Sequence, residues 1–300
     1  MRNSFVATLY EEALLDERIV LITGDLGFQL FDSFRENLPD QFINVGLTEQ
    51  SMMSLAAGVA STGKRVFVYS IANFSTLRCL EQIRNDVCYM NNSVVIVSVG
   101  AGFAYGTLGY SHFATEDLAI MRTLPNLEVV SPCDKFESEA VTRMIVKGKS
   151  LTYLRLGKAG EPNLHTKVPE AKFGKFLTLY EGDSGYIFFT GSVGAVAVSA
   201  RNRLIEAGRS VSVVSVPFVS QIDEEFLEDL DQHVPIVILE EHCSRGGLGA
   251  AFFEKFNALG IKASVTHIAA SLENISLTGS QDYLRIQNGI SVDSILCAFN

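Results

Sequence analysis

The run Val94–Val99, V-V-I-V-S-V, limits the fold more than any other stretch of this chain. Six consecutive uncharged residues, five of them β-branched, suit a strand buried on both faces. A strand with one wet face would alternate apolar with polar residues. Strands are expected at Arg18–Thr23, Phe42–Val45, Arg65–Ser70, Ser93–Val99, Leu127–Ser131 and Leu151–Arg155. Helices are expected between them, at Ser4–Asp16, Glu49–Ser61, Phe74–Met90, Thr115–Arg122 and Lys135–Val146. Such alternation implies an α/β fold whose parallel sheet is covered on both faces.

The segment Lys158–Lys172 is polar, carries two prolines and lacks periodicity, so it reads as an interdomain linker. A second α/β block follows. Its strands are expected at Gly185–Thr190, Val211–Val216, Ile236–Glu240 and Lys262–Thr266, and its helices at Val193–Ala207, Asp223–Leu230 and Leu248–Leu259. The tail Gln281–Asn300 reads as one or two short helices. The expected organisation is a first α/β domain over 1–160, a linker over 161–176 and a second parallel-sheet α/β domain over 177–300.

Three hundred residues with 47% hydrophobic and 19% charged side chains suit a folded chain with a large core. A net charge of −10 argues against broad binding to nucleic acid or an anionic membrane, both of which need a basic surface. It leaves room for a small phosphorylated substrate, which one local arginine can serve. The five cysteines are odd in number, scattered and free of any C-x-x-C pair, as expected for reduced thiols in a cytoplasmic protein. Acids enter the N-terminal stretch too early for a signal peptide, and no uncharged apolar run reaches the ~18 residues of a membrane span.

The segment Asn44–Gly63 carries the first chemical signal. A short strand enters Gly46, and Glu49 falls in the first turn of a helix made largely of small and apolar residues (Met52, Met53, Leu55, Ala56, Ala57, Gly58). A helix so poor in charge is buried on most sides, and its small residues let a flat ligand or another backbone come close. Glu49 then sits near a buried surface, where a carboxylate is costly unless paired. An exposed first-turn acid that complements the helix dipole is the alternative. Phe74 follows the third strand, with Arg78 one turn later, either near the same pocket or paired with Glu81. The glycine-rich stretch Gly100–His112, G-A-G-F-A-Y-G-T-L-G-Y-S-H, follows the fourth strand. Its third glycine is misplaced for a dinucleotide fingerprint, and no helix opens at once.

The order strand, G-L-T-E-Q, small-residue helix, Phe74 and G-x-x-G-x-S-H resembles transketolase, specifically the pyrimidine-binding and C-terminal domains of that thiamine-diphosphate family. The likeness covers most of the chain and is strongest from Asn44 to Asp134. It implies that Glu49 hydrogen-bonds N1′ of the cofactor's aminopyrimidine. It also implies that Phe74 or a close neighbour stacks on that ring, and that His112 acts on substrate oxygens. Arg155, at the end of its strand, is implied as a substrate-phosphate ligand, with an interdomain salt bridge as the alternative. Asp25 in T-G-D-L-G is implied near the cofactor and subunit interface, with a plain turn aspartate as the alternative. Arg78 is counted with the substrate-binding candidates. The E-E-H-C-S-R-G-G-L-G stretch (Glu240–Gly249) resembles a structural element of the family's C-terminal domain.

Two departures matter. The family places an acid that reads a substrate hydroxyl where this chain has Leu108, so the usual sugar stereochemistry is open. The G-D-G signature that holds diphosphate through Mg²⁺ is missing: Gly24-Asp25 is followed by Leu26, and Gly182-Asp183 by Ser184. No metal ligands are expected from this chain. The resemblance therefore implies the second half of a split transketolase. A separate N-terminal subunit would supply the diphosphate domain and Mg²⁺, and two such pairs would form a heterotetramer. The expected activity is transfer of a two-carbon ketol unit from a ketose to an aldose, or their phosphates. The β subunit of a 2-oxo acid dehydrogenase E1, a deoxyxylulose-phosphate-synthase-like subunit and a non-catalytic partner are the alternatives.

Overall fold

The computed structural model describes all 300 residues. The first sheet contains β1 (Ile19–Thr23), β2 (Phe42–Asn44), β3 (Arg65–Ile71), β4 (Val94–Val99), β5 (Leu127–Val130) and β6 (Leu151–Leu156). All pairings are parallel, in the order β2-β1-β3-β4-β6-β5. Every residue of β1, β4 and β6 is buried. The alternation of side chains across β4 divides the core into two layers. Val94 and Ile96 pack with Met52, Met53, Ala56 and Ala57 of the Glu49–Ser61 helix. Val95, Val97 and Val99 pack on the other face with Phe5 and Leu9 of the Arg2–Ala13 helix and Val141 and Ile145 of the Lys135–Lys147 helix. Burying each such aliphatic side chain contributes about 1.5–3 kcal/mol before entropy is counted.

The second sheet contains β7 (Leu177–Tyr180), β8 (Tyr186–Thr190), β9 (Ser212–Ser215), β10 (Ile236–Cys243) and β11 (Val265–Ala270), in the order β11-β10-β8-β9-β7. The sheets are joined through the edge strand β5. Val130 bridges Phe218, Ser131 N donates to Pro217 O, and Val219 N donates to Val129 O. Phe188, Ile238 and Phe252 of the second unit belong to the same apolar cluster as Val94 and Ile96, so the core runs across the junction. No helix is long and apolar enough to cross a membrane.

Three local expectations change. The second sheet is mixed rather than parallel, because β7 pairs antiparallel with β9. L-T-L-Y is short, alternates in burial and lies at an edge, which gives a weak sequence signal. The last strand runs over Val265–Ala270, not Lys262–Thr266. Phe74–Met90 is not one helix: a turn at Ala72–Ser75 gives way to a 3-10 turn at Leu77–Cys79, a short α turn and a π-helix at Ile83–Tyr89. The hydroxyls of Ser75 and Thr76 donate to the carbonyls of Ile71 and Ala72, and such back-bonding bends helices.

Candidate active site

The carboxyl ends of β1, β2, β3 and β4 lie side by side, which is where α/β sheets place ligands. Gly46, in the left-handed region at φ +73°, turns the chain from β2 towards the Glu49–Ser61 helix. The Asn44 side chain accepts from the amides of Gly46 and Asp25 and donates to Asp25 Oδ1 at 3.2 Å. One amide therefore braces two adjacent turns. Gly24 permits the close approach: a Cβ there would stand 3.2 Å from the Gly46 carbonyl oxygen and 3.9 Å from Glu49 Cγ.

Glu49 is 3% exposed. Its Oε2 accepts from Arg78 Nη1 at 2.9 Å. The Arg78 guanidinium carbon also sits 4.1 Å from the centre of the Phe74 ring, a cation–π contact. The Phe74 ring meets His112 edge-on at 5.3 Å. Asn73 holds this second contact in place, donating through one amide nitrogen to the carbonyls of Ser111 and Phe113 on either side of His112. Four expected site residues, Glu49, Arg78, Phe74 and His112, thus form one continuous chain of contacts. Arg78 pairs with Glu49 rather than Glu81. Cys79 lies against this group, and burial together with the Glu49 charge pushes its thiol up to about 12, so it stays protonated.

Asp25 is exposed, at φ +52°, and engages Asn44 only. The phosphate role expected of Arg155 does not fit the geometry. Its guanidinium is 2% exposed and turned inward, with Nε 2.7 Å from Asp117 Oδ2 and Nη2 bonded to the carbonyls of Ala114 and Glu241. The ion pair with Asp117 is internal to the first domain, and only the Nη2 bond to the Glu241 carbonyl on β10 reaches the second sheet, so the interdomain salt bridge offered as the alternative is not formed either. The Glu240–Gly249 stretch is structural. The Glu240 carboxylate accepts from the amides of Leu248 and Gly249 at the start of the Leu248–Leu259 helix and lies 2.8 Å from His267 Nε2.

The structure adds three residues that sequence reasoning missed. Asn44 and Asn73 position the site through backbone groups, and an asparagine before a turn is too common to stand out. Tyr105 lies 6.4 Å from His112, and its ring fills the space over Gly100 so closely that a Cβ there would come within 2.4 Å. That contact and a backbone at φ +100° both call for glycine at position 100. Around the site, Phe28, Leu47, Leu77 and Leu108 point to solvent, at 84%, 76%, 43% and 56% exposure. These four exposed apolar side chains come from the segments that follow β1, β2, β3 and β4.

Comparison with known proteins agrees with this architecture. The family described as "Transketolase, pyrimidine binding domain" matches residues 1–161, and "Transketolase, C-terminal domain" matches residues 174–295. An apulose-4-phosphate transketolase subunit from Phocaeicola vulgatus is 35% identical over 256 residues, covering 84% of this chain and 82% of that protein. A putative transketolase C-terminal section of Methanocaldococcus jannaschii is 34% identical over 298 residues, covering 98% and 93%. A 1-deoxy-D-xylulose-5-phosphate synthase of Bacillus cereus is 29% identical over 296 residues, covering 96% of this chain but 46% of that protein. A solved structure titled "Split gene transketolase, inactive beta4 tetramer" superposes with a TM-score of 0.90 at 29% identity, covering 99% of this chain and 96% of that one. This chain belongs to the transketolase family. Within it, the chain corresponds to the C-terminal section, the part that a split transketolase carries as a separate subunit.

Proposed function

We propose that this chain is the cofactor-activating subunit of a thiamine-diphosphate-dependent transketolase, working with a second subunit that holds the diphosphate through Mg²⁺. The observation that carries the reading is the buried Glu49 carboxylate at the mouth of an apolar helix, with an aromatic ring and a histidine in reach. These residues fit an aminopyrimidine: a carboxyl group for a ring nitrogen, a ring face for stacking and, beside Gly46, open space where an added Cβ would meet nothing within 4 Å. When bound, the cofactor supplies a thiazolium carbon that serves as nucleophile and electron sink.

Glu49 holds and exchanges a proton at N1′, which glutamine cannot do. Phe74 orients the ring. His112 stabilises or shuttles a proton on substrate oxygens, using the donor and acceptor nitrogens of its ring. Arg78 now spans the two groups that the pyrimidine would use, Glu49 and Phe74. It is 47% exposed and free to swing out. Its departure accompanies cofactor entry. The exposed side chains of Phe28, Leu47, Leu77 and Leu108 suit burial against the partner chain. The resulting assembly is a dimer of heterodimers, and the free cysteines suit a cytoplasmic setting.

The reaction is transfer of a two-carbon ketol unit between a ketose and an aldose, free or phosphorylated. In the reconstituted complex, Glu49→Gln lowers turnover about 10²–10⁴-fold while the thermal midpoint holds. Full activity in that variant would overturn the assignment in favour of a non-catalytic partner role. Leu108, where the family has a hydroxyl-reading acid, favours one second reading: a 2-oxo acid substrate, as for a deoxyxylulose-phosphate-synthase-like or E1 β-type subunit. Mass spectrometry of the complex separates the two. A ketose-derived two-carbon adduct without a pyruvate-derived one supports the transketolase reading, and the reverse supports the second.

A further inference from the structure

A second cluster of reactive side chains lies along β5, at the opposite edge of the first sheet from β2 and Glu49. Cys133 follows β5, Glu137 opens the Lys135–Lys147 helix, and His165 comes from the segment between β6 and β7. Cys133 Sγ and His165 Nδ1 are 3.9 Å apart. With a carboxylate oxygen of Glu137, they put three ligand atoms within 4.8 Å of one another. Tetrahedral zinc, with bonds of about 2.3 Å to sulfur and about 2.0 Å to nitrogen, sets those two atoms about 3.5 Å apart. A shift of a few tenths of an ångström closes the difference.

Two further observations point to an occupant. Cys133 and Glu137 are 1% and 0% exposed, yet Glu137 Oε1 has no hydrogen-bond partner. The hydroxyl of Ser215 on β9 faces both the Cys133 thiol and the Glu137 carboxylate but makes no well-aligned hydrogen bond to either. Buried orphan oxygens call for a water or an ion. A thiolate and the Glu137 carboxylate offset a dication, and the neighbouring buried Asp134 carboxylate adds a further negative charge. Asp134 fixes the ligand-bearing segments: its Oδ1 accepts from the amides of Phe136 and Glu137, and its Oδ2 from those of Leu164 and His165; Oδ2 also lies 3.3 Å from His165 Nδ1, a contact that a bound metal would displace.

We propose that Cys133, Glu137 and His165 bind one zinc-like divalent cation that staples the interdomain segment to the Lys135–Lys147 helix. Sulfur and imidazole select a borderline cation over Mg²⁺, which prefers six oxygens. A water or the Ser215 hydroxyl completes the coordination, and the thiol proton leaves to solvent on binding.

The test uses the untagged chain, stripped with chelator, dialysed against Zn²⁺ or Co²⁺ and then desalted. The expected result is about one metal per chain by elemental analysis. The cobalt form should show a thiolate charge-transfer band in the near ultraviolet, and the thermal midpoint should rise by several degrees. Cys133→Ser removes the band. His165→Ala changes a side chain on a partly exposed segment, so its circular dichroism stays native, while metal retention falls about tenfold or more. Retention below about a tenth of an equivalent by the unaltered chain, or unchanged retention in His165→Ala, overturns the proposal. The orphan oxygens would then be sites for buried water.

Discussion

Glu49 and Arg78 are an unequal pair: the carboxylate side chain is 2% exposed and the guanidinium 47%. An ion pair with both ends in water contributes little. Here one end is buried, so removing the other leaves a desolvated charge. Arg78→Ala should cost about 1–3 kcal/mol, read from the urea midpoint. Adding Glu49→Gln to that variant should recover much of the loss, because a neutral amide tolerates burial better, and the double-mutant cycle isolates the coupling. Strictly additive effects would mean that the pair contributes nothing to the fold. Glu49 was legible in the sequence through the motifs around it, G-L-T-E-Q, the small-residue helix and G-x-x-G-x-S-H, since a first-turn acid on its own has the ordinary explanation of complementing the helix dipole. The partner of Arg78 was not, since Glu81 is three residues away and Glu49 is reached only through the fold.

The start of the Leu248–Leu259 helix shows how an element can be held by one buried acid. Burial pushes the Glu240 carboxyl up, but the His267 hydrogen bond, the His242 charge and the Gly249 amide outweigh it. The net position is below the ordinary 4.5. The folded protein therefore binds fewer protons than the unfolded chain around that pH. The stabilisation is complete above about pH 4.5 and drains away as pH falls through the depressed native value. Urea midpoints measured from pH 7 down to pH 3 should fall for the unaltered chain. Glu240→Gln should be about 2–3 kcal/mol less stable at pH 7 and show a flatter profile. An equally steep acid limb in that variant would remove Glu240 from the explanation. The E-E-H-C stretch, which resembles a structural element of the family, is used structurally here: its geometry directs the Glu240 carboxylate to backbone amides.

At the scale of the whole molecule, the proposed arrangement puts half of the cofactor site on a second chain. Titration calorimetry should show no saturable binding of thiamine diphosphate with Mg²⁺ at micromolar concentrations for the lone chain. Tight binding should appear once the N-terminal subunit is added. Stoichiometric binding by the lone chain would overturn the split arrangement. The unbroken apolar run of β4 and the strand–helix alternation fixed a two-faced parallel sheet before any coordinates, because only a sheet covered on both sides buries such residues. Spacing also placed Glu49, Phe74 and His112 on successive strand ends. The fate of Arg155 was decided only in three dimensions. A strand-end arginine reads the same whether it faces solvent or Asp117, and the choice depends on β10 and the Ala114 carbonyl, which lie 86 and 41 residues away. The same holds for the antiparallel edge β7 and for the meeting of Cys133 with His165. Sequence records local periodicity and residue type, whereas long-range pairing is settled by which buried polar groups find one another when the two sheets close.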